Sequence, residues 1–310
     1  MKFAVSPAEA VLSCLAMAAA YVGVLYCAPT HVRALPRDHP TQILTRFFLI
    51  SFVCVLSPIY MMTFYQQSAN GMSLLAWLGL HRDILSTVVA TGLCLLLTVV
   101  LFAGSLFASA LELQKEATAM SWLEALKATQ LYASFRHEHL KAIRTYIYVI
   151  HDKRISQIKQ APLTEEFVFR GCMAALLLNA GFSVSHIVFL SPLAFGVAHA
   201  HHFYEHVRGG MPWMRALAIV VFQLVYTTVF GIYATFLFLR TGQLVAIIVV
   251  HAFCNVMGFP DLSFVSPDSD LYTYRHSILG VYLVGIVCFS VLLYPVTAPT
   301  LHAYGFWAFP

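Results

Sequence analysis

The chain is 310 residues long, 60% hydrophobic and only 10% charged, with a formal net charge of +4 and a mean hydropathy of +0.77. Soluble domains carry about 25% charged residues, so this composition excludes one, and it excludes disorder, collagen and coiled coil as well. The small, dispersed positive charge leaves no footprint for nucleic acid, and the seven cysteines, all in apolar stretches without a C-x-x-C pair, read as packing residues. What remains is an all-α, polytopic membrane helix bundle.

Because charge is nearly forbidden at the bilayer centre, gaps between charged residues serve as a ruler for membrane spans of about 20 residues. They predict about eight transmembrane spans, at 8–28, 47–65, 84–110, 162–181, 184–200, 214–239, 243–259 and 277–298. Lys2 ahead of a run rich in small residues imitates a secretory signal, but seven further spans behind it predict an uncleaved first helix. One long polar region, 111–160, separates spans three and four. Within it Leu140, Ile143, Ile147 and Ile150 recur at helical spacing while Lys141 and Arg144 take another face. That pattern predicts an amphipathic helix, lying on the membrane surface or packed on the protein's own loops.

The chain thereby divides into the N-terminal spans (1–110), an amphipathic cytosolic linker (111–160), a core with polar motifs (161–260), and an acidic loop with the last span (261–310). Lys and Arg gather in the odd-numbered loops, with Arg33, Arg37 and Arg46 after the first span and Arg208 and Arg215 after the fifth, leaving Lys2, Arg82 and Arg240 opposite. The positive-inside rule then puts the odd loops in the cytosol and both termini on the far side.

Ionisable residues inside membrane segments mark functional sites by default, and this chain concentrates them in three places. In APLTEEFVFRGC, Glu166 and Arg170 are four apart on one helical face, in the favourable order for an ion pair, and Glu165 is rotated about 100° away. The alternative for this stretch is a helix start, with Thr164 as N-cap and the acids suiting the dipole. In SPLAFGVAHAHH, Phe195 and His199 share a face, and in HAFCN so do His251 and Asn255. Polar residues at such spacing also bind neighbouring membrane helices to one another. Brought to one cavity, the same groups would hydrolyse a peptide bond. Glu165 would take a proton from water and return it to the leaving amine, and the Glu166–Arg170 pair would hold the second carboxylate ionised. His199 would hold the water, while His251 and Asn255 would donate hydrogen bonds to the oxyanion.

The stretches APLTEEFVFR, SPLAFGVAHAHH and TTVFGIYATFLFLRTGQLVAIIVVHAFCNVMGFP closely resemble the type II CAAX prenyl endopeptidases, also called Ras-converting endopeptidases, of the CAAX protease and bacteriocin-processing membrane family. The family's E-E-x-x-x-R, F-x-x-x-H and H-x-x-x-N motifs occur in order between residues 161 and 260. The resemblance implies a multi-pass enzyme of the endoplasmic reticulum membrane, with a site reached from the cytosol, that removes the last three residues from prenylated CAAX proteins. It implies Glu165 and His199 as water-activating residues, His251 and Asn255 as the oxyanion pair, Glu166 and Arg170 as their support, and Phe195 in a packing role. It also implies a mechanism without metal or cofactor, a prenyltransferase upstream, and an isoprenylcysteine carboxyl methyltransferase downstream.

Other readings compete with this one. His199, His251 and a glutamate are a zinc ligand set, although without H-E-x-x-H spacing. Cys254 beside His251 invites a thiol nucleophile, without a separate base to serve it. The intramembrane Glu and His residues could form the relay of an ion or proton transporter, though no inverted repeat supports one, or the chain could be a silent scaffold. Asp261, Asp268 and Asp270 form either an acidic rim for basic substrates or an ordinary solvated loop.

Overall fold

A computed structural model describes residues 2–36, 39–68, 71–119, 161–298 and 300–306; the amphipathic helix expected around 140–150 lies outside them. Helix α1 (Pro7–Gly23) starts at a reciprocal cap, in which Ser6 accepts the Glu9 N–H and the Glu9 carboxylate accepts the Ser6 N–H, with Pro7 in the first turn. It tightens into a 3₁₀ turn at Val24–Cys27. A short α2 (Thr30–Arg33) leads to α3 (Pro40–Met61), again opened by a proline. The pair β1 (Lys2–Phe3) and β2 (Tyr65–Gln66) is antiparallel, and no span pattern announced it. After α4 (Leu74–Trp77) come α5 (Ile84–Leu101) and α6 (Ala103–Ala119), so the predicted third span breaks at Phe102.

Residues 161–179 follow as α7 (Ala161–Glu166), a π-helical stretch (Phe167–Cys172) and α8 (Met173–Asn179). Then come α9 (Val184–Ala198), α10 (His201–Arg208), α11 (Trp213–Thr241), α12 (Leu244–Met257) and α13 (Arg275–Val296). Among the described residues six helical segments are long and apolar enough to cross a membrane, which makes this an all-α, multi-pass membrane protein. The two predicted spans that fall short have separate reasons. The stretch 162–181 carries three charges and changes helix type, and α12 is apolar but only 14 residues long.

The chain forms two compact units, with boundaries inside α5 and α12. The first holds residues 1–92, 160–251 and 297–310. In it α9 crosses closely over α11. A Cβ at Gly196 would collide with Thr228 Oγ1, and one at Gly231 would lie 2.7 Å from Pro192 Cβ and 3.2 Å from an Arg170 guanidinium nitrogen. In the same unit, the Phe3 N–H donates to Asn179 Oδ1 at 3.1 Å and Phe3 packs on Trp77, itself stacked on Phe306. Gly242 ends α11 with φ 65°, where a side chain would also strike the Tyr304 backbone.

The second unit, 93–159 and 252–296, is built on α6 against α13. Gly104 sits under the Tyr282 ring, whose hydroxyl is 2.8 Å from Ser105 Oγ, and Gly285 lies on the Val100 carbonyl. Phe264, Leu271 and Ile278 make its small core. Asp261 accepts the Ser263 N–H at 2.8 Å, as a residue of a solvated loop does.

Candidate active site

The site grows from the π-helical stretch. In it the Met173 N–H bonds the Val168 carbonyl, five residues back, and the widened turn lies between Glu166 and the regular helix α8. Such turns cluster at functional positions because they re-aim side chains within an otherwise regular helix. Arg170 donates to Glu166 Oε1 at 3.0 Å, which is the pair the spacing predicted. The same Oε1 lies 2.6 Å from His251 Nδ1, contributed by α12. Glu166 is wholly buried and Arg170 and His251 nearly so, at 0%, 2% and 7% side-chain exposure, so the carboxylate is sealed between two cationic or donor groups.

Glu165 differs from its neighbour. Its side chain keeps 18% exposure, and its Oε2 lies 3.8 Å from His251 Nε2. That gap is wider than a hydrogen bond and suits a bridging water or substrate oxygen. With Nδ1 occupied by Glu166, the His251 ring is held so that its second nitrogen faces Glu165. Neither acid lies in a first turn, and Thr164 is no N-cap. Both glutamates close α7, while Thr164 Oγ1 donates within the helix to the Ala161 carbonyl and meets the Tyr21 hydroxyl at 2.8 Å.

His199 terminates α9, at the bend into α10. Its Nδ1 is 2.9 Å from the Phe195 carbonyl and must donate to it, which leaves the lone pair of the neutral ring on Nε2. Phe195 joins the parts. Its ring centroid lies 5.1 Å from His199, 6.4 Å from His251 and 4.6 Å from the Arg170 guanidinium carbon. Six of the seven candidate residues, Glu165, Glu166, Arg170, Phe195, His199 and His251, thus belong to one connected group within the first unit. Asn255 lies one turn beyond His251 on α12 and is exposed, and Cys254 is buried, as a packing thiol would be.

Three contributors carried no sequence signal strong enough to single them out. Phe230 covers His251 at 4.5 Å between ring centroids, and Tyr21 packs edge-on to Phe169 while holding Thr164. Arg46, on α3, is near enough for its charge to act on the Glu165 carboxylate. Tyr21 was visible only as a hydroxyl in an apolar span, and Phe230 only as part of the TTVFGIYA stretch. Among the described residues one group combines metal-ligating types at close range, His201, His202 and Glu205, with ligand atoms within 4.8 Å of one another. It stands on α10, apart from the Glu165–His251 pair.

Comparisons with known proteins agree with the motif pattern. The family described as "Type II CAAX prenyl endopeptidase Rce1-like" matches residues 155–257. The chain is 34% identical to a protein of Arabidopsis thaliana named CAAX prenyl protease 2, over 96% of this chain and 92% of that one. It is 35% identical to a human protein of the same name, over 94% and 82%. A Schizosaccharomyces pombe protein named probable CAAX prenyl protease 2 is 47% identical over 33% of this chain and 38% of its own. No solved structure gives a significant match.

Proposed function

The chain belongs to the type II CAAX prenyl endopeptidase family, and we propose that it cuts the last three residues from prenylated CAAX proteins by a glutamate-activated water. The observation that carries this reading is the inequality of two adjacent carboxylates. Glu166 is sealed in the ion pair with Arg170 and His251, whereas Glu165 stays accessible at the same place. A fixed, enclosed carboxylate orients its partners, and an accessible one exchanges protons.

In this mechanism the water sits between Glu165 and His199. Glu165 takes one proton, and His199 Nε2 accepts a hydrogen bond from the other. The hydroxide adds to the scissile carbonyl, and the oxyanion is received by His251 acting as an imidazolium, with Nδ1–H on Glu166 and Nε2–H on the oxyanion, together with the Asn255 amide. Glu165 then protonates the leaving amine, so the proton count closes without a covalent intermediate. No metal or cofactor is required. Buried prenyl carbon binds lipid at about 0.8 kcal/mol per methylene, so the substrate arrives along the bilayer. The enzyme works in the endoplasmic reticulum membrane with its site open to the cytosol, after a prenyltransferase and before an isoprenylcysteine carboxyl methyltransferase.

The test is cleavage of a farnesylated peptide ending in Cys plus three residues by purified protein, alongside Glu165→Ala and a chelator-treated sample. Release of an intact tripeptide that survives chelation and is lost in the variant is the expected result. Loss on chelation, restored by zinc, would replace the glutamate mechanism with a metal-dependent one.

A further inference from the structure

A recess of about 580 Å³ opens in the first unit between the segment after α1, the start of α3, and α10. Arg33, Arg46 and Arg208 line it, with Glu205 as the one carboxylate among the described lining residues. Glu205 also meets its own helix, with His202 Nδ1 2.9 Å from Oε2 and His201 Nε2 4.0 Å from Oε1. Three arginines against one glutamate give the lining a surplus of positive charge, in side chains whose planar donors match a carboxylate.

Its distance from the site can be read along α3. Cys54 Sγ lies 3.7 Å from the carbonyl of Thr164, the residue before Glu165. Arg46 precedes Cys54 by eight positions on the same helix, about 12 Å at 1.5 Å per residue. Three residues of extended peptide span about 10 Å. An enzyme that removes three residues from a chain end must measure from that end, and apolar tail side chains alone do not mark where the chain stops. A terminal carboxylate does.

Resting on the hydrolytic reading of Glu165, we propose that Arg46, flanked by Arg33 and Arg208, binds the α-carboxylate of the substrate's last residue, so that the third peptide bond from the end lies at Glu165. The alternative occupant of such a recess is an anionic lipid headgroup, and the experiment separates the two.

Full-length protein in neutral phosphatidylcholine vesicles is given matched farnesylated peptides that end in a free carboxylate or a carboxamide. Wild type should prefer the acid, and Arg46→Gln should lower the acid-to-amide ratio of kcat/KM about tenfold or more, the loss falling mainly in KM. Arg46→Lys, which keeps the charge, should retain part of the preference, and Arg33→Gln and Arg208→Gln should lose less than Arg46→Gln. The assignment is overturned if wild type cuts both peptides equally, or if Arg46→Gln slows both by the same factor. It is overturned equally if the ratio is unchanged while Arg46-dependent activity follows the phosphatidylserine content of the vesicles. In each of those cases cleavage itself stands. If wild type cuts neither peptide, the hydrolytic reading falls and takes this one with it.

Discussion

Residues 161–179 and helix α13 solve opposite problems with similar lengths of chain. The first stretch carries Glu165, Glu166 and Arg170, and its residues from Val168 to Leu177 are buried without a break. Helix α13 has its only positive charge at its first residue, Arg275, and turns Leu283, Val284, Val287 and Val291 outward, with only Ile278 and Gly285 buried. A soluble protein would place these the other way round. In a bilayer the outer surface is apolar, so charge must be enclosed by protein and apolar side chains face outward at no cost. The charged stretch is therefore where packing must be most exact, and the apolar helix is where it can be loosest.

The largest effects should follow from opening that enclosure. Glu166→Ala removes the carboxylate bonded to both Arg170 and His251 and leaves the Arg170 guanidinium buried without it. It should cost about 3–5 kcal/mol of stability, measured by thermal unfolding in detergent, and abolish cleavage. Glu165→Gln should separate the two properties, with cleavage falling about 10²–10⁴-fold while the unfolding transition stays close to wild type. If Glu166→Ala unfolded no earlier than Glu165→Gln, the two carboxylates would not have the unequal roles assigned to them. Gly231→Ala comes next. Its new methyl meets Pro192 and the Arg170 guanidinium, so overpacking should cost about 1–3 kcal/mol. By contrast, Val284→Ala on α13, with the valine 61% exposed, should shift unfolding by less than about 0.5 kcal/mol and leave cleavage alone.

The same contrast explains what the sequence disclosed. Hydropathy gaps located α13 closely because a lipid-facing helix must be apolar along its length, and they located α1, α3 and α11 for the same reason. Two of the predicted spans, 162–181 and 243–259, are not among the long apolar helices. The first carries three charges and changes helix type, and the second is apolar but only 14 residues long. Helical spacing predicted the Glu166–Arg170 bond because that contact is local. The His251–Glu166 bond joins positions 85 apart and leaves no periodic trace, so His251 was placed at the oxyanion without its tie to the second glutamate. The π-helical stretch was likewise illegible, since FVFRGC reads as ordinary helix and only its packing selects the wider turn. Arg46 was counted as a loop charge for orientation, and the action of its charge on Glu165 depends on how α3 crosses α7.

If enclosure is what makes charge matter here, a charge outside it should matter least. Asp83 caps α5 from water. The Ser86 N–H donates to its Oδ1 at 3.1 Å, and hydrogen bonds from Ser86 hold its carboxyl below the usual aspartate value. A folded-state value lowered in this way contributes stability at pH above the unfolded value of about 3.9, and the contribution is lost as pH falls through the folded value. Asp83→Asn should therefore lower the unfolding temperature slightly at pH 7, and the two proteins should converge as the pH is brought toward 3. A loss at Asp83 as large as that at Glu166 would mean that water-facing caps, rather than the enclosed ion pair, hold this bundle together.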